Sequence, residues 1–222
     1  YFGAGIAVLG GILSMKFLIE PKQQTPVSKT GNLKFYDKRI MPYLVGWALV
    51  FLVFTATQVI AAFFIEDRLG VATQSNIIKA TSIPLLSMAS TTTTLMQAVV
   101  LQIVDVSPKT LLRLCFFIFG AALFAIPMVT SLAYFYLAFA GIGIAFSMVT
   151  PGLNSAATMS VEPHEQGEVA GLLSAAPVVG MIFGPAIGAL LYTTNPSYPF
   201  LFGSVVAIGL GIYFQFVKIP NI

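Results

Sequence analysis

Seven long apolar stretches divide this chain, and their length is the feature that most constrains its fold. A helix needs about 20 mostly apolar residues to cross the hydrocarbon core of a bilayer. Inside lipid every backbone N–H and C=O must be paired within the segment, which favours helices. The stretches do not alternate apolar and polar residues, as the strands of a membrane barrel do. The sequence therefore predicts an all-α polytopic membrane protein, with helices at 2–19, 41–65, 76–104, 110–128, 131–158, 164–193 and 198–218.

The charge content agrees with a surface that faces lipid. Only 9% of the residues are charged and 57% are hydrophobic, whereas a soluble domain carries about 25% charged residues. The net charge of +3 does not indicate nucleic acid, because the basic residues lie in loops between the apolar stretches. The predicted partner is a lipid bilayer, and no nucleic-acid partner is predicted.

The distribution of Lys and Arg predicts an orientation. Nine of these residues fall in loops on one side, including the polar segment 21–40, and only Arg68 and Lys79 fall on the other. Loops rich in Lys and Arg stay on the cytoplasmic side. The 21–40 loop, the 105–109 loop, the 159–163 loop and the C-terminus are therefore predicted to be cytoplasmic, in a protein of the cell (plasma or inner) membrane.

The spacing of the helices suggests a piece of a longer protein. One helix, a long basic loop and six closely spaced helices are expected when a twelve-helix chain of two six-helix halves is cut inside its sixth helix. The chain also begins with Tyr1 rather than Met. We therefore expect a fragment that lacks most of its N-terminal half.

Small residues recur along one face of the predicted helix 164–193. Gly180, Gly184 and Gly188 are spaced by four, and Pro177 and Pro185 interrupt the same helix. Small residues at this spacing let two membrane helices approach closely, while each proline removes a backbone hydrogen bond. The pattern predicts a tightly packed helix face with kinks.

The segment 167–173, followed by Gly180-x-x-x-Gly184-Pro185-x-x-Gly188, resembles the eleventh helix of the major facilitator superfamily. It is most similar to the drug:proton antiporter branch, which includes tetracycline and multidrug exporters. The resemblance covers essentially the whole chain as helices six to twelve. It implies that residues 1–20 are the last helix of the N-terminal half, 21–40 the central cytoplasmic loop and 41–222 the C-terminal six-helix half.

The resemblance also implies a mechanism. Members of this branch are secondary active transporters that export small molecules by alternating access, with protons as the coupling ion. A small-molecule substrate and the missing N-terminal half are therefore expected partners, and no cofactor is predicted. The family's loop motif Gly-x-x-x-Asp-basic-x-Gly-basic-basic is only partly present here. Asp105, Lys109 and Arg113 match it, and its first glycine is absent. Asp105 is either a latch of the cytoplasmic gate or a solvated carboxylate.

By resemblance, polar and aromatic residues within four of the helices line a central cavity. Helical spacing places them on common faces, and a membrane-buried Gln or Asn needs a partner or water. The predicted cavity residues are Trp47, Phe51, Phe54, Gln58, Thr91, Thr94, Gln97, Thr150 and Asn154, with Ser87 and Ser147 on the same faces. The alternative for the hydroxyl residues is bonding to helix backbone or between helices, which is favoured for Thr92 and Thr93.

Several functions remain open at this point. No Asp, Glu, Lys or Arg lies in the middle of a predicted span from residue 41 onward, so a coupling carboxylate would lie in the missing half. Export of lipophilic compounds is favoured over uptake of a sugar or organic acid, because an organic anion would require a buried cation. An enzyme is not predicted, since His164 and Cys115 are single and separate. A seven-helix receptor is a remote alternative, although Lys218 lies too near the end to hold retinal.

Overall fold

The computed structural model describes residues 33–70, 74–95, 107–217 and 219. All regular structure in these residues is helical. The α-helices are α1 Met41–Leu69, α2 Gln74–Leu95, α3 Pro108–Ala125, α4 Leu132–Met159, α5 Gln166–Thr194 and α6 Tyr198–Phe216, and a short 3-10 helix, Ile126–Met128, follows α3. The predicted helix 2–19 and the end of the predicted helix 76–104 lie outside the described residues. Where both can be compared, the predicted helix ends fall within a few residues of the observed ones.

Local sequence explains several helix ends. Gly70 ends α1 in the left-handed conformation, with φ of 66°, which a side chain would disfavour. Proline lies in the first turn of α1, α3 and α6, where its missing N–H has no helical partner to lose. The Ser107 hydroxyl oxygen accepts the Thr110 backbone N–H at the start of α3, as a helix N-cap does.

Within the described residues, five helices are long and apolar enough to cross a membrane: Met41–Leu69, Pro108–Met128, Leu132–Met159, Gln166–Thr194 and Tyr198–Phe216. The described part of α2 is not among them, because it is rich in Ser and Thr. The prediction of an all-α polytopic membrane protein is supported. The seven-helix count and the assignment to one part of a twelve-helix fold stay predictions.

Helix α1 is the centre of the packing. It packs most extensively on α5 and also contacts α2, α4 and α6, while α3 packs between α4 and α6. Aromatic rings join these helices: Phe64 of α1 meets Phe200 of α6 edge-on at 4.9 Å between centroids. The buried Ser204 hydroxyl of α6 donates to the Gly120 carbonyl of α3 at 2.8 Å. Within the described residues the core is thus mostly apolar, and its buried polar residues are Thr57, Ser147 and Ser204.

The two ends of the bundle are named here by residues that lie there. At the Arg39 end, Arg39 before α1 contacts Glu165 before α5. At the Gly70 end, Arg68 of α1 donates to the Ser197 hydroxyl at 3.3 Å, and the Tyr192 hydroxyl donates to Asp67 at 2.5 Å. Helix α1 is therefore tied to α5 and its flanking loops at both ends.

Candidate binding cavity

A cavity of about 420 Å³ lies between α1, α4 and α5, in the half of the bundle toward the Arg39 end. Its lining residues are Trp47, Thr150, Asn154, Thr158, Ala170, Leu173 and Ser174. None of these described lining residues carries a charge. Three residues that the sequence assigned to a cavity are brought together here, namely Trp47, Thr150 and Asn154.

A hydrogen bond between two side chains shapes this cavity. The Trp47 indole Nε1–H donates to Asn154 Oδ1 at 3.2 Å. Trp47 is buried, with 6% of its surface exposed, whereas Asn154 is exposed. An indole N–H can only donate, so the amide oxygen of Asn154 must face Trp47. The bond joins α1 to α4 across 107 positions of sequence.

An aromatic wall continues from Trp47 along α1. The Trp47 and Phe51 rings are 5.5 Å apart, and Phe51 and Phe54 follow at 6.0 Å. Phe146 of α4 completes the wall, 4.9 Å from Phe54. Tilted and edge-on pairs at these distances are favourable beyond the area they bury. Phe51 and Phe54 therefore support the Trp47 ring and do not themselves line the 420 Å³ cavity.

The hydroxyl groups of the cavity are bonded to their own helices. Thr150 donates to the Phe146 carbonyl at 3.2 Å, Thr158 to the Asn154 carbonyl at 2.8 Å, and Ser174 to the Ala170 carbonyl at 2.8 Å. This back-bonding is common for Ser and Thr within helices. It leaves these oxygens as acceptors toward the cavity.

Other predicted cavity residues lie elsewhere or outside the described residues. Gln58 is half-buried on α1, away from the lining of this cavity. The Thr91 hydroxyl donates to the Ser87 carbonyl within α2 at 2.6 Å. The Thr94 side chain, Gln97 and Asp105 lie outside what the structure describes.

Two further hydroxyl residues are engaged between or within helices. Ser147 does not face a cavity, and that expectation is wrong: it is buried and donates to the Ile144 carbonyl at 2.6 Å, because neighbouring helices cover α4 at this level. The single Thr92 hydroxyl proton is shared between the Met88 carbonyl of its own helix at 2.8 Å and the Gly143 carbonyl of α4 at 3.0 Å. The backbone and interhelical role favoured for Thr92 is confirmed.

The glycine face of α5 lies directly on α1. Gly180, Gly184 and Gly188 are all buried. A methyl group on Gly180 would collide with the Ala48 carbonyl oxygen and would lie 2.5 Å from the Leu52 backbone nitrogen. The backbones therefore approach so closely that only glycine fits at Gly180. Pro185 lies half-buried between the second and third glycines.

Charged groups cluster at the Arg39 end. Arg39 donates to both oxygens of Glu165 at 2.9 Å and also pairs with Asp37 at 2.9 Å. Hydrogen bonds from Arg39 hold the pKa of both carboxyl groups below their usual range, and the Glu162 backbone N–H adds to the effect on Glu165. The two carboxylates in turn raise the pKa of Arg39. This cluster fixes the entry of the chain into α1.

Sequence reasoning missed Thr158 and Ser174 of the cavity lining and Phe146 of the aromatic wall. Thr158 is four positions after Asn154 and so on the same helix face, a signal that could have found it. Phe146 is an ordinary core residue by its sequence pattern, and nothing local marks Ser174. Both are recognised only from the packing of α4 and α5 around Trp47.

Five described helices are long and apolar enough to cross a membrane, and three of them enclose a cavity whose described lining residues carry no charge. These features define a polytopic membrane protein. The model of the Major Facilitator Superfamily matches residues 1–176 and, in a second alignment, residues 80–221. The chain belongs to this superfamily, whose members are transporters rather than enzymes.

Characterised relatives add detail. The chain is 26% identical over 231 residues to Multidrug resistance protein 2 of Bacillus subtilis, covering 96% of this chain and 55% of the relative. It is 23% identical over 218 residues to Multidrug resistance protein 1 of the same organism, with the same coverage. A shorter match, 24% over 110 residues, covers 48% of the chain and 28% of the proton-coupled antiporter flippase LtaA of Staphylococcus saprophyticus.

The chain spans about half the length of the multidrug resistance proteins it matches. The resemblance to drug antiporters of this superfamily, expected from the glycine-rich helix α5, agrees with these relatives. The expectation of a multi-pass membrane protein is likewise supported.

Proposed function

We propose that this chain is the C-terminal part of a secondary active transporter that exports drugs or small lipophilic metabolites by alternating access. The observation that carries the proposal is the uncharged cavity beside Trp47, backed by the aromatic wall of α1. Ligand sites combine apolar and aromatic walls with a small number of placed polar groups, and this cavity places uncharged hydroxyl and amide groups beside the Trp47 ring. The names of the similar multidrug resistance proteins support the same cargo class.

In this proposal the chain follows the organisation expected from its sequence. Residues 1–20 end the N-terminal half, 21–40 form the central loop, and 41–222 form the C-terminal half, with the Arg39 end in the cytoplasm of a plasma or inner membrane protein. The substrate cavity of the whole transporter is proposed to extend beyond the 420 Å³ cavity and to be lined by Trp47, Phe51, Phe54, Gln58, Thr91, Thr94, Gln97, Thr150 and Asn154. Packing and gating are assigned to Asp105, Gly180, Gly184, Pro185 and Gly188. The tightly packed α1–α5 pair then moves as one body when the halves rock.

Proton coupling is part of the proposal, and the position of acidic groups restricts where it occurs. The described acids lie at the ends of the bundle: Asp37, Glu162, Glu165 and Glu168 at the Arg39 end, and Glu66 and Asp67 at the Gly70 end. A proton-coupling group must bind and release a proton within the membrane. We therefore assign the coupling carboxylate to a part of the protein outside the described residues.

Transport in proteoliposomes tests this function. The product of the whole gene, including whatever precedes Tyr1, would be reconstituted with an imposed pH gradient and offered lipophilic fluorescent compounds, sugars and organic acids. We expect flux of the lipophilic compounds only, abolished by a protonophore. Trp47→Ala should reduce that flux, whereas Ser82→Ala, on α2 outside the cavity, should not. Flux of a sugar or an organic acid in place of the lipophilic compounds would overturn export and favour uptake.

A further inference from the structure

The Asn154 side chain is held in one orientation. Its amide oxygen accepts from Trp47 Nε1 at 3.2 Å, and Trp47 is itself fixed by burial and by its contact with Phe51. Because the oxygen is held against the indole, the amide NH2 is turned away from it. Asn154 is exposed, so both of its N–H groups are available to the cavity.

The other polar groups around the cavity have already used their protons. The indole N–H is bonded to Asn154, and Thr150, Thr158 and Ser174 each donate to a helix carbonyl. Backbone N–H groups in the middle of a helix are likewise paired. Among the described lining residues, the two N–H groups of Asn154 are therefore the only side-chain donors that remain for a ligand.

We propose that Asn154 is the specificity-determining donor of this cavity and that Trp47 is its positioning residue. The cavity then favours a neutral lipophilic compound that carries a hydrogen-bond acceptor, such as a ketone, over a hydrocarbon of the same shape. The absence of charge among the described lining residues favours neutral ligands in this part of the cavity. The inference rests on the proposed function and adds the chemical class of its ligand.

The sequence supplies a direct probe, because Trp47 is its single tryptophan. In the product of the whole gene, with any tryptophan outside these 222 residues replaced by phenylalanine, the emission in detergent micelles therefore reports on this cavity alone. Camphor and bornane are suitable ligands, since they share one bicyclic skeleton and differ in the ketone. We expect both to shift the Trp47 emission. The micelle-corrected affinity for camphor should exceed that for bornane by about fivefold to tenfold, the contribution of one hydrogen bond.

Variants separate the roles of the two residues. Asn154→Leu should bring the ratio of the two affinities close to one, because it removes the donor. Asn154→Asp keeps an oxygen that accepts from the indole but presents no N–H groups when ionised. This variant should therefore lose the preference for camphor over bornane. The ultraviolet resonance Raman signature of a hydrogen-bonded indole should persist. Trp47→Phe, followed with radiolabelled camphor and bornane, should lose part of the preference, since the amide is then free to rotate. Ser82→Ala is the matched control and should keep the wild-type ratio.

An affinity ratio that is the same in wild type and Asn154→Leu would overturn the inference, and so would a chain whose emission responds to neither ligand. The proposed function is tested separately by flux. Proton-dependent flux of lipophilic compounds, with no preference for camphor over bornane, would support the export proposal and overturn the proposed role of Asn154. A preference that depends on Asn154, in a protein that moves no lipophilic compound, supports the site and overturns the export proposal.

Discussion

Arg39 and Glu165 form a two-point ion pair across 126 positions of sequence, in which Nη1 and Nη2 each donate to a different carboxylate oxygen at 2.9 Å. The pair joins the start of α1 to the residue that precedes α5. Next to it the Leu33 backbone N–H donates to Glu168 at 2.8 Å. The same two helices meet along the glycine face, so ionic and steric contacts hold one helix pair together.

Breaking the ion pair should destabilise the protein slightly. Arg39→Gln removes both hydrogen bonds to Glu165, but the Arg39 side chain is 43% exposed, and exposed pairs contribute little. We expect a small decrease in the thermal unfolding midpoint in detergent. Arg39→Lys should recover only part of the lost thermal stability, because lysine lacks the planar guanidinium group that donates to both carboxylate oxygens. Lys38→Gln is the matched control, and an equal decrease in that variant would show that net charge, not the pair, is responsible.

The same cluster predicts an acid-dependent loss of stability. The folded-state pKa values of the Asp37 and Glu165 carboxyl groups are lowered. Their contribution to the stability of the folded state is therefore fully present above the unfolded-state pKa values of about 4. It is lost as the pH falls through the lowered folded-state pKa values. The unfolding midpoint of wild type should thus exceed that of Arg39→Gln above about pH 5, and the difference should shrink toward pH 3. A difference that stays constant over this range would show that these carboxylates are not the cause.

The glycine face of α5 gives a sharp contrast between two substitutions in one helix. Gly180→Ala places a methyl group against the backbone of α1, and overpacking of this kind costs about 1–3 kcal/mol. Gly171→Ala meets nothing within 4 Å, so it should be neutral or stabilise the helix by up to about 1 kcal/mol. Unfolding by denaturing detergent measures both. Equal changes in unfolding free energy for the two variants would contradict the proposal that the contact of Gly180 with α1 decides the effect.

Thr92 tests the interhelical hydrogen bond between α2 and α4. Thr92→Val keeps the shape but loses the donor to the Gly143 carbonyl, and bonds of this kind average about 0.6 kcal/mol in membrane proteins. The control is Thr81→Val, because the Thr81 hydroxyl donates only to the Ile77 carbonyl of its own helix at 2.6 Å. We expect a measurable decrease in unfolding free energy for Thr92→Val alone. No difference between the two variants would contradict a stabilising role for the interhelical bond.

Much of the fold could be predicted from the sequence because helix formation in a membrane is a local property. The apolar runs predict the helices, and the spacing of Gly180, Gly184 and Gly188 predicts a face that packs closely. The cavity was only partly predictable. Trp47, Thr150 and Asn154 meet there, but Ser147 is buried, and Thr91 donates within its own helix. Periodicity gives the face on which a residue lies, not which neighbouring helix covers that face.

The sequence by itself determined that the chain is helical and suited to lipid. It also carried the resemblance to the major facilitator superfamily. Both could be read from the sequence because the length of a stretch, its apolar content and the spacing of a motif are properties of contiguous residues. Only the tertiary structure decided that the glycine face meets α1, that Trp47 fixes the Asn154 amide, and that Arg39 pairs with Glu165. Each of these contacts joins residues more than 100 positions apart. Such contacts depend on how whole helices pack, because no local pattern specifies the partner of a given side chain.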